Sequence, residues 1–329
     1  MNSTVRWTLT RLGGIVLVLL IVTMVTFAVF YILPADPAQL SCGKPCTPDH
    51  LAQARSVMGY DQPIWEQYLR YLGGIFTGRT FGSGGAAIHC PAPCLGWSFT
   101  QQRTVTSLIA QTLPVTASIA VGAAVLWFIV GVSAGVVAAL RRGTVVDRVV
   151  MTVAIVGVST PAYLVGLLAI LLFGFILNVV PVSGYVPFAT SPAQWAFHLV
   201  TPWCVLAFIS AAMYARITRG QMLDVLGDDY VRTARAKGLG EARVIGRHAL
   251  RNALIPVVTM FGLDLGGLLG GAVITEKVFS MYGMGALLID SVSHTDLPVI
   301  TGITIVSAAF IGIANLVVDL TYKALDPRA

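Results

Sequence analysis

The sequence predicts an all-α polytopic membrane protein: six transmembrane helices with a large extracytoplasmic loop after the first. Three observations carry this. Of 329 residues, 56% are apolar and only 11% charged, where a soluble domain carries about a quarter charged residues. The mean hydropathy is +0.80. Six apolar runs reach the roughly 20 residues needed to cross about 30 Å of hydrocarbon. This composition excludes an ordinary soluble globule, a disordered chain and a nucleic-acid-binding protein. The net charge of +6 matters through where it sits.

The first span, about Leu9 to Leu33, carries only Arg11 near its start. Arg6 and Arg11 imitate the basic flank of a signal peptide. The apolar stretch is nevertheless longer than the roughly 7–15 residues of a signal core, and no small-x-small cleavage site follows. The second span is about Leu108 to Leu140 and the third about Val149 to Val180. Both exceed one crossing, which predicts tilt or ends projecting into water, and Pro161 predicts a kink in the third. The fourth, about Phe197 to Tyr214, is the weakest because it holds His198 and Pro202; a re-entrant or interfacial segment is its alternative. Its Cys204 reads as a buried small apolar residue. The fifth is about Leu254 to Thr275, with Asp264 inside it, and the sixth about Pro298 to Leu320.

Lys and Arg mark the cytoplasmic side. With both termini cytoplasmic, inner segments hold Arg6, Arg11, Arg141, Arg142, Arg148, Arg216, Arg219, Arg232, Arg235, Lys237, Arg243, Arg247, Arg251, Lys323 and Arg328. Outer segments hold Lys44, Arg55, Arg70, Arg79, Arg103 and Lys277. Fifteen against six fixes the expected orientation. The chain then divides into an N-terminal transmembrane helix (1–33), an extracytoplasmic loop with four cysteines (34–103) and a five-helix core (104–329) that includes a cytoplasmic loop (216–253).

In the outer loop, Pro63 and the spaced aromatics Trp65 and Tyr68 predict a short amphipathic helix, followed by a glycine-rich stretch from Gly73 to Gly85. Cys42, Cys46, Cys90 and Cys94 form two C-x3-C pairs, which allow three disulfide pairings. An extracytoplasmic compartment permits them. Chain entropy gives about 2 kcal/mol for a short loop and about 4 kcal/mol for a cross-linked one, whereas proximity favours the local pairs; the pairing stays open. A metal site helped by His50 and His89 is the rival, disfavoured where thiols oxidise.

In the inner loop, Asp228, Asp229, Tyr230, Val231, Arg232, Thr233, Ala234, Arg235, Ala236, Lys237 and Gly238 place acids first, bases last and a glycine after. That order complements the helix dipole and stops the helix, and Asp228 with Arg232 is an i,i+4 pair. The positive-inside rule alone explains the charge. A docking helix for a cytoplasmic partner also explains the small residues Thr233, Ala234 and Ala236, which would permit close approach.

This loop resembles the EAA motif of binding-protein-dependent ABC importer permeases, with Gly238 at the motif's glycine and Ala234 at one of its alanines. Asp229 through Gly238 and His248-Ala249-Leu250-Arg251-Asn252-Ala253-Leu254-Ile255-Pro256 are similar to the dipeptide, oligopeptide and nickel branch. Arg232 stands at the glutamate position, Thr233 at the first alanine and Arg251 where proline is frequent, departures familiar in B-type subunits of that branch. Asp36-Pro37-Ala38, Gly59-Tyr60-Asp61-Gln62-Pro63, Gln67-Tyr68-Leu69, Ala138 to Gly143, Asp147-Arg148, Pro181 to Gly184, Asp319-Leu320 and Leu325 to Arg328 fit in order. The cysteine-bearing part of the outer loop departs most and looks like an insertion.

The resemblance implies a type I ABC importer permease fold, half of a transmembrane pore, importing peptides. It implies a second, C-type permease, two ATP-binding subunits that hold ATP and Mg, an extracytoplasmic solute-binding protein and the lipid bilayer as partners. This chain itself would hold no cofactor, would not be an enzyme and would lie in the inner membrane. Asp228, Asp229, Tyr230, Arg232, Thr233, Ala234, Arg235, Lys237 and Gly238 would couple it to an ATPase. No G-x-x-x-x-G-K-[ST] phosphate loop is present. Asp264 is expensive at membrane depth and reads either as a pathway residue or as an interhelical hydrogen bond. Tyr282 and Met284, beside Gly283 and Gly285, resemble a family segment near the outer gate. Nickel or a nickel chelate is the alternative solute. Rival classes are a secondary transporter, which would show internal repeats, and an intramembrane protease, which would need paired aspartates or a serine at depth.

Overall fold

The computed structural model describes residues 3–32, 46–58, 62–81 and 87–325. The described chain runs α1 (Ser3–Ile32), α2 (Pro48–Met58), α3 (Ile64–Thr77), β1 (Arg79–Phe81), β2 (Ile88–Cys90), β3 (Trp97–Ser98) and β4 (Arg103–Thr104). It continues with α4 (Val105–Leu140), α5 (Val145–Ser159), α6 (Ala162–Ile176), α7 (Pro192–Leu226), α8 (Asp229–Ala236), α9 (Glu241–Leu269), α10 (Val273–Val278), α11 (Met284–Ser293) and α12 (Leu297–Leu325). Among the described residues, five helices are long and apolar enough to cross a membrane. They are α1 through Thr10–Val29, α4, α7, α9 and α12, and the bent pair α5–α6 makes a sixth.

The third apolar run is broken at the proline where a kink is expected. α5 and α6 meet at 101°. Thr160, ahead of Pro161, is extended at φ −90° and ψ 129°, the region a following proline enforces. The fourth run is a continuous helix of 35 residues, not a re-entrant segment. Ser191 caps its start by accepting from the Gln194 N–H at 3.3 Å, and Pro192 fills the first turn, where a missing N–H costs nothing. Because α7 carries Arg216 and Arg219 on to Leu226, the inner loop begins at Gly227, eleven residues later than apolarity alone suggests. Cys204 on this helix is exposed and unpaired, a correction to its reading as a buried residue.

The chain divides into two compact units, Met1–Pro114 with Gly283–Ile313 and Val115–Tyr282 with Ala314–Ala329. They cut across the three segments read from the sequence. In the first unit, Val105, Leu108 and Ile109 pack with Met284, Leu287, Val299 and Ile303. The cysteine-bearing segment joins this unit: Cys90 and Cys94 are fully buried and bonded to each other, and the Ser98 hydroxyl donates to the Asp296 carboxylate. The local pairing is thus the one formed, and it removes both sulfurs from any metal reading. Cys46 is also disulfide-bonded; Cys42 lies outside the described residues. The stretch from Gly73 is not all loop, since α3 runs through Gly73 and Gly74 to Thr77.

In the second unit, Trp127, Tyr214 and Phe261 form an aromatic centre, with ring centroids 6.2 and 6.0 Å from Trp127. α4 and α7 cross closely beside it. A Cβ on Gly131 would stand 2.8 Å from the Ala211 carbonyl, and one on Gly135 would stand 2.6 Å from that of Ala215. Glycines four apart thus face alanines four apart. Between helices in hydrocarbon the attraction is packing, not water exclusion, so this closeness is what holds the pair.

Candidate functional site

α8 is short, and its two faces differ sharply. Val231 and Ala234, three residues apart and so on one side, are buried with Val244 under Val225, Leu226 and Leu239. Asp229, Tyr230, Arg232, Thr233, Arg235, Ala236 and Lys237 are exposed. The helix ends as its sequence demands: Gly238 takes φ +76°, a left-handed conformation in which glycine alone escapes a steric penalty. The Gly238 N–H reaches the Arg235 carbonyl at 2.9 Å, and that of Leu239 reaches Ala234 at 3.4 Å.

Two side chains of α8, Tyr230 and Arg235, anchor it to the first half of α9. The Asn252 side chain donates to the Tyr230 hydroxyl at 2.8 Å, and that hydroxyl donates to the His248 carbonyl at 3.3 Å. Arg235 donates to Glu241 at 2.7 Å, which raises the Arg235 pKa further. Two expectations are corrected. The ion pair on α8 joins Arg232 to Asp229, at 3.6 Å and three residues apart, not to Asp228; Asp228 occupies the cap position with no side-chain capping bond. Ala234 faces the protein's own interior, so of the small residues Thr233 and Ala236 remain on the exposed face.

A clamp that sequence spacing gave no sign of joins α7 to the start of α5. Arg219 grips Asp147 through Nε–Oδ1 at 2.6 Å and Nη2–Oδ2 at 2.8 Å, and the Gly143 N–H donates to the same carboxylate at 2.9 Å. Such a bidentate fork fixes orientation as well as charge. The partners lie 72 residues apart in sequence.

Asp264 is exposed on α9, and one of its oxygens accepts from the buried Tyr214 hydroxyl of α7 at 2.7 Å. The interhelical hydrogen bond is therefore real, and it leaves the carboxylate's other side open. Glu276 is the opposite case and was not singled out by sequence. It is fully buried, and Oε1 accepts from Thr116 at 2.7 Å and from the Ala272 N–H at 3.2 Å. Glu276 thereby holds the entry to α10. Tyr282 is about half exposed, whereas Met284 is fully buried in the first unit's core; Met284 packs, and it lines no surface in this conformation. Asp296 is also buried, and that burial pushes its pKa up against the opposing hydrogen bonds from Ser98, the Val299 N–H and Thr100 and the charge of His294.

The described chain thus carries apolar helices long enough to cross a membrane and a short charged helix, α8, between two of them. Two family models match: "Binding-protein-dependent transport system inner membrane component" over residues 131–329 and its N-terminal counterpart over residues 4–120. The chain belongs to this family. It is 39% identical over 339 residues to the di/tripeptide transport system permease protein DppB of Pseudomonas aeruginosa, covering 97% of this chain and 96% of the relative. It is 35% identical over 347 residues to the dipeptide transport system permease protein DppB of Escherichia coli K12, covering 98% of each. A solved chain of the MetNI methionine ABC transporter, in an inward-facing conformation, shares the fold with TM-score 0.52 and 16% identity, over 67% of this chain and 97% of that one.

Proposed function

We propose that this chain forms half of the translocation pore of an ATP-driven peptide importer. A related permease supplies the other half, two ATP-binding subunits bind ATP and Mg, and a solute-binding protein delivers the peptide from outside. Full-length similarity to the dipeptide permeases named above supports the peptide as solute. The observation that carries the mechanism is α8. Its apolar face is closed on its own chain and its charged face is open, so it transmits motion as one piece with α9. It seats on an ATPase, and ATP-driven closure reaches the spans through the Tyr230–Asn252 and Tyr230–His248 contacts.

In this reading both termini are cytoplasmic, which the fifteen-to-six distribution of Lys and Arg supports. The chain contributes no catalytic residue. Asp264 contributes to the pathway: its open carboxylate, steadied by Tyr214, suits a peptide's amino group. Tyr282 stands near the outer gate.

Purification of the tagged chain from its own host in mild detergent tests the assembly. Two ATPases, a second permease and a solute-binding protein should co-purify, and peptide should be recovered from the last. Isolation of the chain alone, active in liposomes without any ATPase, would overturn the reading in favour of a secondary transporter.

A further inference from the structure

α3 carries an apolar stripe that the described chain leaves open. Trp65, Leu69 and Phe76 are 65%, 58% and 82% exposed. With Leu72 they follow the i, i+4, i+7, i+11 spacing of one helix face. The opposite flank is polar: Glu66 and Arg70 pair at 2.9 Å, about 100–140° around the helix from Trp65. The helix is amphipathic with its oily side out.

The third flank of α3 fixes its depth. The Tyr68 hydroxyl lies 3.0 Å from the Thr23 hydroxyl of α1, which donates to the Leu20 carbonyl. The ring of Phe27 meets those of Tyr68 and Tyr71 at 5.6 and 6.3 Å. Thr23 and Phe27 lie inside the apolar span Thr10–Val29. At 1.5 Å per residue they stand about 5 and 11 Å from its middle, within the roughly 15 Å half-thickness of the hydrocarbon. Ile21, Met24 and Val25 of α1, which lie between the middle of the span and Phe27, are all more than half exposed, so the stripe on α3 continues the bare apolar surface of a transmembrane helix.

We infer that α3 is embedded in one leaflet of the bilayer, its Trp65–Leu69–Leu72–Phe76 face bound by lipid acyl chains and its Glu66–Arg70 face turned to the headgroups. The leaflet is the one at the C-terminal end of α1, the outer leaflet in the orientation proposed above; the embedding itself does not depend on that orientation. A helix set about 5–10 Å below the headgroup boundary is the ordinary position of an interfacial amphipathic helix, and the α1 contacts put α3 there. The loop after α1 is thus tethered to the membrane before it reaches the disulfide-bonded hairpins.

The test uses the assembled transporter in liposomes. Nitroxide labels are placed at Leu69→Cys, Phe76→Cys and Arg70→Cys in a Cys204→Ser background, Cys204 being the free cysteine among the described residues. Collisions with oxygen, which partitions into lipid, are compared with collisions with a water-soluble nickel chelate. Positions 69 and 76 should favour oxygen several-fold and position 70 should favour the chelate. Strong chelate access at 69 and 76 would place the stripe in water and overturn the inference. Low access to both reagents would show that a protein partner covers it, and would overturn the inference too. Should labelled variants fail to assemble, quenching by chain-brominated lipid decides: the unlabelled protein should lose a quenched component on Trp65→Phe, and equal quenching in both proteins sinks the idea.

Discussion

Two short amphipathic helices, α8 and α3, solve opposite problems with the same geometry. α8 buries Val231 and Ala234 and exposes acids and bases. α3 rests on α1 through Tyr68 and Tyr71 and exposes Trp65, Leu69 and Phe76. A charged open face suits an aqueous protein surface, where ionic contacts are adjustable and screened by salt. An apolar open face of that size in water would be a liability; beside a membrane span it is an anchor. The solvent facing a helix is therefore readable from which of its faces the chain leaves uncovered.

The largest expected effect comes from inverting the buried face of α8. Val231→Asp places an unpaired charge in a fully buried site, at a cost of about 3–5 kcal/mol. Amide exchange over Asp229–Ala236 should become fast and uptake should be lost. Lys237→Glu, on the exposed face, should leave exchange unchanged and alter only the salt dependence of ATPase docking. Equal exchange in the two variants would mean that α8 is not held by its apolar face. The mirror experiment on α3 is next in size. Leu69→Glu sets a carboxylate among acyl chains, costing up to about 2.5–3.5 kcal/mol, while Leu69→Met, a volume-conserving swap, costs less than about 1.5 kcal/mol. Amides of Ile64–Thr77 should exchange faster in the glutamate variant alone. Unchanged exchange would place this face in water.

The contrast between the helices was partly legible in the sequence. Acid-first, base-last order and Gly238 located α8 and its end, because capping and dipole effects are local. The spans were legible for the same reason: hydropathy is a property of a run of residues. The 101° break at Pro161 was visible only as a kink, since a proline signals a bend without its size. What stayed hidden depends on distance across the fold. Arg219 looked like one more topology marker until it closed on Asp147, and nothing beside Glu276 in the sequence marks it, because its partner Thr116 lies 160 residues away. Ala234 was assigned to the docking face because small size suits close approach; only the position of Val244 shows which way it points. The exposure of Trp65 and Leu69 was likewise invisible, because amphipathicity reveals two faces and not which one meets the protein.

A smaller effect on stability separates how α8 ends from what it docks against. Gly238 adopts φ +76°, and no atom lies within 4 Å of where a Cβ would stand. Gly238→Asp therefore costs only the left-handed strain, about 1–2 kcal/mol, and the membrane fold should persist. Its carboxylate sits at the exposed end of α8, so ATP hydrolysis should proceed without uptake. Gly238→Asn bears the same shape without the charge and tolerates the conformation better; it should retain most coupling. Unchanged substrate-stimulated ATPase activity and uptake in Gly238→Asp would remove α8 from the coupling route.

The smallest effect tests the tether on α3. Tyr68→Phe removes the hydroxyl that meets Thr23 and keeps the ring contact with Phe27 at 5.6 Å. A single neutral hydrogen bond contributes about 0.5–1.5 kcal/mol. Thr23→Val removes the same bond from the other side, so the double variant should be no worse than the sum of the singles and better by about that amount. The comparison is made by thermal unfolding of the assembled complex in lipid. Strict additivity would mean that the two hydroxyls do not meet in the membrane. α3 would then be held to α1 by aromatic packing alone, and the depth assigned to its apolar face would rest on Phe27 without the hydrogen bond.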